Sequence, residues 1–118
     1  MTVLVVDDER TIADTLVTIL RQQGYRAVSV YSGLEAVAAA KELRPEIIIM
    51  DVIMPRLGGI EAAKSIQRQL PDCRIVLLSA QPTAAEAVYT AREQGYRFEF
   101  IAKPAHPRML LERLRRSA

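Results

Sequence analysis

The run Ile47-Ile48-Ile49-Met50 restricts the fold open to this chain more than any other stretch. An unbroken series of bulky apolar side chains has no polar face to turn to water, so it predicts a short strand covered on both sides. Strands of that kind belong to parallel sheets with helices packed on each face. Asp51 follows the run directly. In an open parallel sheet, ligands gather in the crevice beyond the carboxyl ends of the strands, which is where Asp51 would stand.

The rest of the chain supplies matching pieces. Val3-Leu4-Val5-Val6 is a second buried-strand run, closed by Asp7-Asp8-Glu9. Ile12, Leu16, Ile19 and Leu20 recur at helical spacing and predict an amphipathic helix with Gly24 as its C-terminal cap. Arg26 to Val30 predicts a strand, and Ser32 with Glu35 has the spacing of a capping box. That box opens a helix through Leu34, Val37 and Ala38, which stops before Pro45. Beyond Asp51, Met54-Pro55-Arg56-Leu57-Gly58-Gly59 has loop chemistry, and Ile60, Ala63, Ile66 and Leu70 mark a helix ended by Pro71. Arg74 to Leu78 predicts a strand closing on Ser79. Thr83 and Glu86 offer another capping box, for a helix to about Gln94 with Gly95 behind it. This helix has mostly alanines and Val88 to bury, so it is expected to pack least firmly. Phe98 to Ile101 predicts the last strand, closed by Lys103-Pro104. Pro107 suits the first turn of a final helix carrying Met109, Leu110, Leu111 and Leu114.

Strands and helices thus alternate along the whole chain, which predicts an α/β fold: a parallel sheet, helices on both faces, right-handed crossovers. A length of 118 residues holds one domain with its own core, and with no repeat or linker in view residues 1–118 are read as a single domain. A hydrophobic share of 50% excludes a disordered chain. No apolar run approaches the roughly 20 residues that cross a membrane, and no secretory leader is recognisable, so a cytoplasmic location is expected. Cys73 is the only cysteine, which rules out an intrachain disulfide and a clustered-thiol zinc site. A net charge of +2 gives no footprint for nucleic acid. Arg108, Arg113, Arg115 and Arg116 read as a solvated face that complements the dipole of the final helix.

The polar residues at the predicted carboxyl ends of the strands are Asp7, Asp8, Asp51, Ser79 and Lys103. Taken singly, each has an ordinary reading: a surface charge, a helix cap, or a serine bonded to its local backbone. Parallel strands, however, deliver all of them to one crevice. Crowded carboxylates raise one another's pKa unless a cation joins them, and an all-oxygen donor set suits Mg²⁺. A carboxylate beside Mg²⁺ can act as a nucleophile toward phosphorus, while Lys103 and the Ser79 hydroxyl hold the other phosphoryl oxygens. Ala80, being small, leaves the approach open.

These residues resemble the receiver domain of two-component response regulators. The likeness rests on Val3 to Glu9, on Ile48-Ile49-Met50-Asp51-Val52-Ile53-Met54-Pro55 with Gly59, on Leu77-Leu78-Ser79-Ala80 and on Lys103-Pro104. It implies a flavodoxin-like three-layer (βα)5 sandwich with strand order 2-1-3-4-5, the order for which a chemotaxis receiver is a standing example. It implies that Asp51 takes a phosphoryl group from a sensor histidine kinase or phosphotransfer protein. Asp7, Asp8, Asp51 and the backbone carbonyl of Ile53 would hold Mg²⁺, and Lys103 would pair with the phosphoryl group. It further implies a cis bond before Pro104 and a switch in which Ser79 and Phe100 move toward the phosphorylated site. The surface of helix four, strand five and helix five would then engage an output domain or docking partner, with a homodimer also open.

The chain departs from the family pattern in places. The stretch Gly95 to Lys103 is one residue longer than usual, and Tyr96 stands where a small residue is common. Phe100 is equally readable as core, in line with Phe98 and Ala102. Ile53 and Gln81 occupy positions that in the family tune phosphoryl loss, and Ile53 cannot orient a water, which points to a long-lived phosphoryl state. His106 lies in a Pro-flanked turn and reads as structural rather than as a phosphotransfer residue. Two other functions remain open on the same fold: a flavin or nucleotide binder, and an aspartyl-phosphate hydrolase centred on Asp7 and Glu9. The first is opposed by Asp7-Asp8-Glu9, which would repel a phosphate where such binders carry a Gly- or hydroxyl-rich loop.

Overall fold

A computed structural model describes residues 1–116. The chain alternates β1 (Thr2–Val6), α1 (Arg10–Gln22), β2 (Arg26–Val30), α2 (Gly33–Leu43), β3 (Ile47–Asp51), α3 (Gly59–Gln69), β4 (Arg74–Ser79), α4 (Pro82–Glu93), β5 (Phe98–Ala102) and α5 (Pro107–Arg115). The strands form one sheet of order β2-β1-β3-β4-β5, with every adjacent pair parallel. All residues of β3 are buried, as its unbroken apolar run requires.

Alternate strand residues feed two cores. Leu4, Val6, Ile48, Met50, Ile75, Leu77 and Phe98 pack with α2, α3 and α4. Val3, Val5, Ile47, Ile49, Val76, Leu78 and Ile101 face the other way, toward α1 and α5. The result is three layers.

Register sets the site. Val6 lies beside Met50, so Asp7 leaves β1 next to the end of β3. Asp51 lies beside Leu78, which puts Ser79 one step further out, and Ser79 in turn pairs with Ala102, just before Lys103.

Several local expectations are corrected. On α1 the buried face is Ala13, Leu16, Val17 and Leu20, while Ile12 is 45% exposed. On α2 it is Gly33, Ala36 and Ala40, with Leu34 59% exposed. On α1 Leu16 and Leu20 are buried as expected, with Ala13 and Val17 beside them in place of Ile12 and Ile19; on α2 the small Ala36 and Ala40 take the inward positions. The Ser32 cap is present: Ser32 Oγ accepts the Glu35 N–H at 3.1 Å. The Thr83 cap is not. Helix α4 starts earlier, at Pro82, and its N-cap residue Gln81 makes no side-chain cap bond. A proline at the first helical position has no N–H to satisfy, so the helix begins there without one. Only Ala84, Val88 and Ala91 of α4 are buried, consistent with its thin apolar content.

The long α4–β5 connection is absorbed before β5 begins. Gln67 of α3 is buried and its amide bonds both backbone groups of Arg97, accepting from the N–H at 2.8 Å and donating to the carbonyl at 3.1 Å. Tyr96 stacks on Phe98 at 5.3 Å, and its hydroxyl accepts from Arg68 Nε at 2.9 Å. Phe100 therefore stays in register beside Leu77.

Candidate functional site

The crevice at the carboxyl ends of β1, β3, β4 and β5 gathers Asp7, Asp8, Asp51, Ser79 and Lys103. Asp7 is buried, and its Oδ1 accepts the Glu9 N–H at 2.9 Å. The Asp7 N–H donates to the Val30 carbonyl at 3.3 Å, holding the end of β1 against β2. Asp51 is 9% exposed and Asp8 is open to solvent. One carboxylate oxygen from each of the three lies within 4.8 Å of the others. Lys103 Nζ bridges two of them, 3.5 Å from Asp7 Oδ2 and 3.5 Å from Asp51 Oδ1.

One ammonium does not balance three carboxylates. Burial pushes the Asp51 carboxyl above its ordinary pKa; Lys103 opposes that rise, and the charges of Asp7 and Asp8 add to it. A hard divalent cation would relieve this repulsion. The donors are all oxygen, with no His or Cys among them, and they fit Mg²⁺.

Ser79 is buried at the end of β4, and its Oγ accepts the Gln81 N–H at 3.0 Å. That bond uses a lone pair, so the hydroxyl proton remains available for donation. The Lys103 N–H donates to the Ser79 carbonyl at 3.0 Å, which ties the lysine to the same strand end. The Lys103–Pro104 peptide is cis. Ile53 lies 54% exposed in the loop after β3. Gly59 opens α3 so close to β3 that a Cβ would stand 2.2 Å from the Asp51 carbonyl oxygen.

Other candidates lie elsewhere. Phe100 is half-buried against the core of α2, α3 and α4, one strand step from the site. His106 is the N-cap of α5, its Nδ1 accepting the Arg108 N–H at 3.0 Å. Cys73 sits at the opposite end of the sheet, where burial, with Glu46 adding to it, pushes its thiol up to about 12; it is inert. A cavity of about 440 Å³ also opens at that end, between Arg97, Glu99 and Arg113, and no site residue lines it. Sequence reasoning passed over Gly33, whose position directly after the Ser32 cap was the available sign, since a first helical turn has no need of glycine.

The chain matches the response regulator receiver domain family over residues 3–115. It is 38% identical over 113 residues to the chemotaxis protein CheY of Thermotoga maritima, across 95% of this chain and 92% of that protein. It is 32% identical to the DNA-binding response regulator MtrA of Mycobacterium tuberculosis, across 96% of this chain and 48% of MtrA. The chain therefore spans about half the length of the MtrA relatives it matches. Among solved structures it superposes on Vibrio cholerae CheY4 with a TM-score of 0.84 at 31% identity, covering 96% of this chain and 94% of that one. The receiver domain of the hybrid histidine kinase CckA gives a TM-score of 0.79 at 26% identity, covering 97% and 95%.

Proposed function

Because this chain belongs to the response regulator receiver family, we propose that its Asp51 is the phosphoryl acceptor and that Asp7, Asp8, Asp51 and the Ile53 carbonyl hold Mg²⁺. The observation that carries this reading is Lys103 Nζ poised 3.5 Å from both Asp7 and Asp51, with Ser79 on the adjoining strand end. When bound, Mg²⁺ offsets the charge of the incoming phosphoryl oxygens.

In the reaction an Asp51 carboxylate oxygen attacks phosphorus. The bond to the donor's imidazole nitrogen breaks, and that nitrogen leaves with the electron pair and takes up a proton. Lys103 holds one phosphoryl oxygen as a point charge, and the Ser79 hydroxyl donates to another. Residues 1–118 act as a single receiver domain and signalling phosphoacceptor. The donor is a sensor histidine kinase or phosphotransfer protein. Movement of Ser79 and Phe100 passes the change to the surface of α4, β5 and α5, where an output domain or docking partner binds. Ile53 presents no hydrogen-bonding group to an attacking water, which favours a long-lived phosphoryl state.

Intact-mass measurement with acetyl phosphate and Mg²⁺ tests the acceptor. The wild-type protein is expected to gain one phosphoryl group and the Asp51→Asn variant none. Retention of labelling in Asp51→Asn would move the nucleophile to Asp7 and turn the reading toward a hydrolase.

A further inference from the structure

The loop from Val52 to Gly58 carries Ile53, and among the described residues no hydrogen bond ties residues 53–57 to the rest of the protein. Packing must therefore place it. Met54 anchors one side in the core at 7% exposure. Gly59 closes the end next to Asp51. On the far side the loop meets α2, and the point of contact is Gly33.

A Cβ at Gly33 would stand 2.4 Å from the Leu57 carbonyl oxygen and 3.2 Å from the Leu57 carbonyl carbon. Both are backbone atoms, so no side-chain rotation relieves the clash. Gly33 does not have the positive φ of Gly24 and Gly95, so helix geometry does not call for glycine. At such a position glycine only weakens a helix relative to alanine. The missing side chain serves the approach of the loop.

We propose that Gly33 is a positioning residue for the Mg²⁺ and phosphoryl site: its bare Cα lets the β3–α3 loop close on α2, and that closure aims the Ile53 carbonyl. This rests on the phosphoacceptor reading above, in which Ile53 supplies a backbone ligand. A side chain at residue 33 pushes Leu57 outward. The displacement passes along an unbonded stretch to Ile53, leaving Asp7, Asp8, Asp51 and Lys103 at their own strand ends.

The test compares wild type, Gly33→Ala and Ala38→Gly. Ala38 is exposed on the outer face of α2, so Ala38→Gly loosens the same helix without touching the loop. Mg²⁺ affinity is read by calorimetry and folding by thermal melts. Gly33→Ala is expected to weaken Mg²⁺ binding by about tenfold or more, as loss of a supporting contact does at other metal sites. Ala38→Gly should leave the affinity unchanged. Equal Mg²⁺ affinity in wild type and folded Gly33→Ala overturns the proposal, as does an equal loss in both variants. Wild type that binds no Mg²⁺ at all overturns the phosphoacceptor reading, and this inference with it. Should Gly33→Ala not fold, amide exchange of the wild type decides. Mg²⁺ should slow exchange at Leu57 and at Ala36 and Val37 of α2 together, and protection confined to residues 51–53 overturns the proposal.

Discussion

At Asp51, burial and two neighbouring carboxylates pull against one ammonium, and the balance leaves the carboxyl with a raised pKa. The folded protein then holds that proton more tightly than the unfolded chain. The associated stability is fully present below the ordinary Asp value of about 4 and is lost as pH rises through the raised folded value. Metal-free protein should therefore weaken across the interval just above pH 4. Asp51→Asn removes that loss and is expected to raise the metal-free Tm at pH 7 by a few degrees, read in thermal melts with EDTA. Saturating Mg²⁺ should shrink or reverse the difference, because the wild type gains a ligand that the variant lacks. Asp7, Asp8, Asp51 and Lys103 were ordinary residues taken singly and became legible as a site only because parallel strands deliver them to one crevice. Gly33 showed only as a glycine that the first turn of α2 does not need; the atom it must avoid belongs to Leu57, which the sequence around residue 33 does not identify.

Among the elements, α5 is fastened by Arg74 from β4. Its Nε and Nη2 pair with Glu99, at 2.5 and 2.9 Å, while Nη1 and Nη2 reach the carbonyls of Arg113, Leu114 and Arg116 at the end of the helix. Carbonyls at a helix C-terminus lack a full set of intrahelical donors, and a guanidinium satisfies several at once; that of Arg113 also accepts the Arg116 N–H at 3.3 Å. Burial pushes the Glu99 carboxyl up, but the Arg74 bond and the charges of Arg74 and Arg113 outweigh it and hold the pKa low. That stability is present above the ordinary Glu value of about 4.3 and is lost as pH falls through the lowered one. Arg74→Met is expected to cost about 1.5–3 kcal/mol in urea unfolding, the range for charge-assisted bonds, and to speed amide exchange in the last turn of α5. The order and kind of every element were readable from apolar runs, capping residues and prolines. Helix rotation was not. On α1, residues 12, 16, 19 and 20 make as good a stripe as 13, 16, 17 and 20, and only packing against the sheet selects the smaller set.

Over the whole molecule, a chain of net charge +2 concentrates three carboxylates against one ammonium in a single crevice. A divalent cation that binds there binds only the folded state. Stability should therefore rise with the logarithm of Mg²⁺ concentration, by about 2.7 kcal/mol at a hundredfold excess over Kd, and a Tm series in MgCl₂ checks it. The crevice was legible because a parallel sheet points all its carboxyl ends one way. The placement of the loop after β3 was not, because it depends on tertiary packing alone. The ion pair between Lys103 and Asp7 joins residues 96 positions apart. During synthesis at about 5–20 residues per second, Asp7 precedes Lys103 by roughly 5 to 20 seconds. For the second half of that interval, once Asp51 has been made, a nascent chain carries all three carboxylates without their lysine. With Asp51 as the proposed acceptor, a partly made chain would lack the lysine beside it until synthesis has passed the end of β5.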